Sequence, residues 1–489
     1  MRSSSLPSLS NPLLALSFEP SIEGLGDAYW DVVSAAHFPR TTLRFRNDPL
    51  LRQLNIDPEL VSDADIEQAY GRFDGRDPLL ALRYHGYQFG TYNPLLGDGR
   101  GFLYGQLRDI DGDLQDLGTK GSGTTPWSRG GDGRLTLKGG VREVIASEAL
   151  HRLGVTTSRT LSLIETGEDL YRGDEPSPTR SSVMVRMART HLRFGTCERL
   201  LYLNDSQGLE RLLRHVVAVY YPHLARAYPC SEGAVEQQLL AFYGELVERV
   251  ARLAAEWMAA GFTHGVLNTD NMSLVGESFD YGPFAFLERW NPNFTAAYFD
   301  QTGLYSYGRQ PAICHQNLRL LQKPLAMLLP IESMEHHLET FAPLYRDHYR
   351  NCMLRRLGFQ PDREDLLVAE TLNLLNDWSV NYGEFFVGLA DHMVQRGLPA
   401  EPEALSPVFM SSSEPPRERW HQWRDAWWLH QHQAIAKDPA EAEAITGRLQ
   451  RWNLPVTPIR PVIERLWQAI DQSDDWQPLA DWLSTVIVD

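Results

Sequence analysis

Aromatic and aliphatic positions alternate with Gly, Asn and polar residues from Leu79 to Leu107, a pattern that predicts short strands joined by tight turns. DLQDLGTK predicts a further strand ending at Lys120, and TKGSGTTPWSRGGDG predicts the loop after it. The period then changes. In VREVIASEALHRLG, residues Val141, Val144, Ile145, Ala149 and Leu153 recur at helical spacing, and Gly154 supplies the stop. Strands return at Thr160 to Thr166 and Ser182 to Met187, and from about residue 196 the text is helical. Its longest helix carries Leu239, Tyr243, Leu246, Val250, Leu253 and Trp257 on one stripe and closes at Gly261. Residues 1–75 show no strong period and read as an irregular arm laid over something larger. Beyond 330 helices continue, interrupted by the Pro/Ser linker PVFMSSSEPPRER. Trp420, Trp423 and Trp427 at helical spacing read as a buried helix face, not a ligand box. A β-rich part with one long helix followed by a helical part predicts an α+β, two-lobed architecture.

Composition narrows the class. The 489 residues carry 46 Lys and Arg against 63 Asp and Glu, a net charge of −17, which disfavours nucleic acid and anionic membrane as partners. Any phosphate-binding cations must be local exceptions to that field. No apolar run approaches the roughly 20 residues that cross a bilayer. The four cysteines are widely spaced, without CxxC or zinc spacing, so a reducing compartment is expected. The first twenty residues have one Arg, a short apolar stretch and no small-residue cleavage signal. They read as a frayed cytoplasmic N-terminus, with a mitochondrial address as the alternative.

The sharpest chemistry lies in THGVLNTDNMSLVGESFDYGPF. Asn271 and Asp280, on a loop and the strand expected after it, are placed to converge on one divalent cation, and oxygen ligands plus nucleotide phosphates suit Mg²⁺ or Mn²⁺. Lys120 at a strand end and Glu143 early on the next helix repeat the kinase arrangement, in which the lysine reaches phosphates and the glutamate holds it. Glu148 is a competing partner about 140° further round the helix. GDGRGF offers Gly97, Gly99 and Arg100, where small residues admit phosphate oxygens to the backbone and arginine adds a planar fork. Against the kinase loop HRDxxxxN, HGVLNTDN matches at His264 and Asn271 but has Val266 in place of the catalytic base. An aliphatic side chain accepts no proton, so either the chain is kinase-shaped without catalysis, or the nucleotide sits differently and the nearby carboxylate Asp270 is the base.

Taken together, YHGYQFGTYNPLLGDGR, LGTKGSGTTPWSRGGDGR, VREVIASEALHRLGV, RTHLRFGT and THGVLNTDNMSLVGESFDYGPFAFL resemble the selenoprotein O family, also called YdiU, of kinase-like protein adenylyltransferases. The resemblance is strong from about 79 to 330. It implies a bilobal protein-kinase-like fold: an arm at 1–75, an N-lobe at 76–195, a C-lobe at 196–330 and a helical extension at 331–489. It also implies ATP bound in flipped orientation, with AMP passed to Ser, Thr or Tyr hydroxyls of proteins, self-modification included, and pyrophosphate released. On that reading Gly97, Gly99, Arg100, Lys120, Asp132, Gly133, Arg186, Arg193 and Asp280 match nucleotide-binding positions. Glu143 matches the lysine-positioning acid, Asn271 and Asp280 the metal ligands, and Asp270 the proton acceptor.

The end DWLSTVIVD lacks the cysteine or selenocysteine common in that family, so redox control through that position is not expected. The leading expectation is a monomeric, metal-dependent protein adenylyltransferase. Its rivals are UMP transfer from UTP, a catalytically silent ATP-binding scaffold and a small-molecule kinase.

Overall fold

The computed structural model describes residues 11–173, 175–228, 234–361, 366–405 and 414–487. Residues 1–10 of the expected frayed start, Cys230 and most of the Pro/Ser linker lie outside them, whereas Pro12–Ala15 form an ordered helical turn with Leu13 buried. The strands are β1 (Trp30–Val33), β2 (Thr42–Arg46), β3 (Leu79–Leu82), β4 (Gly86–Gln88), β5 (Thr91–Asn93), β6 (Leu103–Arg108), β7 (Leu114–Lys120), β8 (Leu135–Thr136), β9 (Arg159–Leu170), β10 (Thr179–Ala188), β11 (Phe262–Thr263) and β12 (Ala285–Phe286). Eight of them form one antiparallel sheet in the order β1-β3-β6-β7-β10-β9-β2, with β8 beside β10.

The central strands are buried on both faces, which explains their almost continuous apolar text. Leu163 and Met184 join the core on one face with Val141, Val144 and Ile145 of the Leu137–Arg152 helix. Their neighbours Ile164, Val183 and Val185 point the other way, as the two-residue period of a strand requires. There they meet Leu50, Ile66, Tyr70 and Phe73 of the N-terminal residues. That segment does lie over the sheet, but it is not irregular. It supplies both edge strands, β1 on β3 and β2 on β9, together with the helical turns that carry this second core.

Helices build the rest of the molecule. The Ala234–Ala260 helix runs through the main core and stops at Gly261, whose φ of 69° is the left-handed value favoured after a helix. β11 and β12 follow, with Phe262 opposite Phe286 and Thr263 opposite Ala285. This ribbon pinches the loop between them at its base. Further on, Trp420, Trp423 and Trp427 are buried in a second core beside Trp378 and Phe385, as expected. The last helices, Arg460–Ser473 and Gln477–Ser484, return to the sheet and its helix: Lys138 of the Leu137–Arg152 helix pairs with Glu464 at 2.8 Å, and Arg180 of β10 donates to the Ile470 carbonyl at 3.1 Å. No helix among the described residues is long and apolar enough to cross a membrane.

Candidate functional site

A cleft of about 680 Å³ opens between the sheet and the helical part. It is lined by Gly97, Gly99, Arg100, Lys120, Asp132, Gly133, Arg186, Arg193, Asp270 and Asp280, ten of the residues singled out by sequence. Glu143 stands behind this wall, and Asn271 is not among the lining residues.

At the inner end Lys120, the last residue of β7, is ion-paired with Glu143 and lies 2.6 Å from Asp280. Arg186 on β10 stands 3.3 Å from Asp280 and 3.8 Å from Glu143. β10 lies beside β7, opposing Arg186 to Gly118, so sheet register brings the two cations to one end. The competitor Glu148 instead pairs with Arg159 and accepts the Thr160 N–H. Burial alone would raise Asp280, but Lys120, Arg186 and Arg100 outweigh it and hold the carboxyl well below the usual range. It is therefore an anion, with 30% of its side chain exposed. Asp280 sits in a loop at φ 67°, not on the strand expected for it, because β12 begins only at Ala285.

Asp270 and Asn271 occupy a single helical turn, Thr269–Asn271. Burial pushes the Asp270 carboxyl up to about 6 although Arg193 opposes the shift, and its Oδ1 has no hydrogen-bond partner among the described residues. The Asn271 amide donates to the Val266 carbonyl at 2.8 Å, which leaves its Oδ1 buried without a partner among the described residues. An unpartnered amide oxygen and a carboxylate held ionised are hard donors that fit a divalent cation. Among the described residues no group of three or more His, Cys, Asp and Glu could hold a metal, so remaining ligands would come from phosphate and water. His264 is fully buried, and its Nε2–H donates to the Phe279 carbonyl at 3.0 Å, tying the two ends of the loop.

Arg193 is committed to the same loop. Its guanidinium donates to the main-chain carbonyls of Asp270 (3.0 Å) and His191 (3.2 Å), and it is sandwiched by Tyr84 and Phe279. Asp98 lies 3.6 Å away. Gly97 and Gly99 face the Trp127 segment. A Cβ at Gly97 would lie 2.3 Å from the indole, and one at Gly99 2.8 Å from the Trp127 carbonyl. Gly133 has φ 69° and no room beside Gly123. Asp132 pairs with Arg172 at 2.8 Å near the rim.

Sequence reasoning missed Asp98, Trp127, Arg129, Arg134 and Arg172. The Gly-rich SRGGDGR stretch carried a signal for two of these arginines, whereas Arg172 follows β9 with no local mark. With them the cleft presents seven cationic side chains against four carboxylates, in a chain of net charge −17. Such a surface selects a polyanionic ligand.

Residues 12–487 match the family described as Protein adenylyltransferase SelO. The chain belongs to that family. It is 53% identical over 476 residues to the Protein nucleotidyltransferase YdiU of Gloeobacter violaceus, covering 96% of this chain and 95% of the relative. It is 51% identical over 481 residues to the protein of that name from Trichodesmium erythraeum, covering 98% and 100%. The counterpart in Synechococcus elongatus is 53% identical over 478 residues, covering 96% and 94%. A SelO-family chain is an enzyme of nucleotidyl transfer, and the resemblance read from the sequence motifs holds over nearly the whole molecule.

Proposed function

We propose that this enzyme transfers AMP from ATP to Ser, Thr or Tyr hydroxyls of proteins, itself included, with the nucleotide lying so that its α-phosphorus meets the acceptor. The observation that carries this reading is the pairing of Val266, which accepts no proton, with the buried and unpartnered Oδ1 of Asp270 at the cleft wall. Asp270 is the base. Its carboxylate takes the hydroxyl proton as the acceptor oxygen bonds to the α-phosphorus. The bond from that phosphorus to the bridging oxygen breaks, and its electron pair leaves with pyrophosphate. Lys120, Arg186 and Arg100 neutralise the charge that collects on the departing oxygens. Glu143 fixes the Lys120 ammonium, and Arg193 fixes the Asp270 backbone.

Asn271 and Asp280 would hold Mg²⁺ or Mn²⁺, which supplies further neutralisation of phosphate charge when bound. Gly97, Gly99, Asp132 and Gly133 shape the loops over the nucleotide. Intact-mass measurement after incubation with ATP and either metal tests the proposal. A gain equal to AMP on the protein or on an added acceptor is expected. A gain equal to phosphate would convert the reading to kinase chemistry, and no gain with any acceptor would favour a silent nucleotide-binding scaffold. A parallel incubation with UTP distinguishes the UMP variant.

A further inference from the structure

The β4–β5 hairpin lies outside the main sheet and over the Thr269–Asn271 turn. Gly86 abuts Asp270, since a Cβ there would sit 2.9 Å from Oδ1, and the Tyr87 N–H donates to Thr269 Oγ1 at 2.7 Å. Gln88 lines the cleft. The two-residue tip is Phe89–Gly90, both at positive φ, the conformation of a type I′ turn. Glycine tolerates that backbone at Gly90, but a bulky aromatic at φ 50° is an outlier. Its N–H is anchored to Asn268 Oδ1 (3.3 Å) and the Tyr305 hydroxyl (3.2 Å). The fold therefore holds an apolar ring at a turn tip where a small residue would be unstrained.

That ring is part of a strip. Phe89 packs on Tyr305 at 4.9 Å and on Phe299 at 5.9 Å, and Phe299 packs on Tyr298 at 5.2 Å. Phe89 is 39%, Phe299 48% and Tyr298 80% exposed. Contiguous exposed aromatic surface beside a reaction centre is a place where a polypeptide docks. Tyr298 and Phe299 also line a second recess of about 610 Å³, which shares Arg100, Lys120, Arg134 and Arg172 with the cleft. Two guanidiniums in this recess, Arg142 and Arg460, donate to the main-chain carbonyls of Phe284 and Ala296, and neither is ion-paired among the described residues. Apolar strip and cationic recess thus adjoin each other, and the strip reaches the proposed base through three residues of one strand.

We infer that the Phe89–Phe299–Tyr298 strip and its neighbouring recess form the docking surface for the acceptor protein. It takes an extended segment that bears a bulky apolar residue for the rings and a carboxylate for Arg142 and Arg460. This rests on the nucleotidyl-transfer reading above, which it deepens by naming the acceptor chemistry.

Short synthetic peptides with one central Ser, one flanking Phe and one flanking Asp serve as probes, alongside versions with Ala for Phe or Lys for Asp. The full chain is assayed with ATP and Mn²⁺, with mass readout of the peptide and a separate readout of pyrophosphate release without peptide. Each peptide replacement is expected to raise KM about tenfold with kcat little changed. The Phe299→Ala variant, and the exposed single change Tyr298→Ser, are expected to raise KM for the parent peptide by a similar factor. Both should lose discrimination between Phe and Ala peptides while keeping ATP affinity and peptide-free pyrophosphate release. Equal KM values across the peptides, or either variant behaving as wild type, overturn the inference. So does pyrophosphate release by the wild type without labelling of any peptide. Absence of both pyrophosphate release and labelling instead rejects the transfer reading on which it rests.

Discussion

Asp270 and Arg193 divide one task between side chain and backbone. The carboxylate is buried with its Oδ1 unpartnered among the described residues, while the guanidinium grips the main-chain oxygen of the same residue. Asp270→Ala therefore removes the proposed base without removing the grip. Transfer should fall by about 10²–10⁴ while nucleotide affinity is retained, as read by mass-detected turnover and by calorimetric titration with ATP. Glu198 gives a test by pH. Burial pushes its carboxyl from 4.5 up to about 8, partly offset by the hydroxyl of Thr269, which donates at 2.8 Å. The folded protein thus keeps a proton that the unfolded chain releases near 4.5. This contribution to stability is full below about 4.5, declines as pH rises, and is lost above about 8. Urea unfolding at pH 5 and pH 8 should show a smaller loss of stability in Glu198→Gln than in wild type.

At the scale of elements, the loop between β11 and β12 was legible because its chemistry is local. Asp270, Asn271 and Asp280 are carried on one loop clamped by a two-strand ribbon and by His264. The Lys120–Glu143 pair was legible because a strand end and the helix after it place the two side chains together. β1 and β2 were not, since WDVV and TLRFR are short, half-buried segments whose partners lie far along the chain. Nor was Arg172, because an arginine reads as solvated until tertiary structure brings it to a cleft. The glycines carried a second meaning: Gly97 and Gly99 leave room for the Trp127 segment whatever the nucleotide needs of them. Gly97→Ala should force Trp127 and its loop outward at a cost of about 1–3 kcal/mol, seen as a smaller ATP-induced rise in Tm. By contrast, Trp423→Ala acts far from the cleft. It removes a fully buried ring bonded to Thr371 at 2.8 Å, and should cost about 3–5 kcal/mol in chemical denaturation while sparing ATP affinity.

For the whole molecule, the C-terminal helices close the structure back onto its N-terminal sheet. Ile470 and Trp467 belong to the same core as Val144 and Leu163, and Asp474 meets Arg180 at 2.7 Å and Arg44 at 3.2 Å. These contacts join parts of the chain that local periodicity describes separately. The cationic cleft lies within this frame in a strongly acidic molecule, a local exception to the field of the whole chain. The most direct measurement is transfer from ATP labelled in parallel at the α and γ positions, with Mg²⁺ or Mn²⁺ present. The α label is expected to become covalently attached to protein hydroxyls, and the γ label to leave as pyrophosphate. Attachment of the γ label, with the α label remaining on free nucleotide, would contradict it.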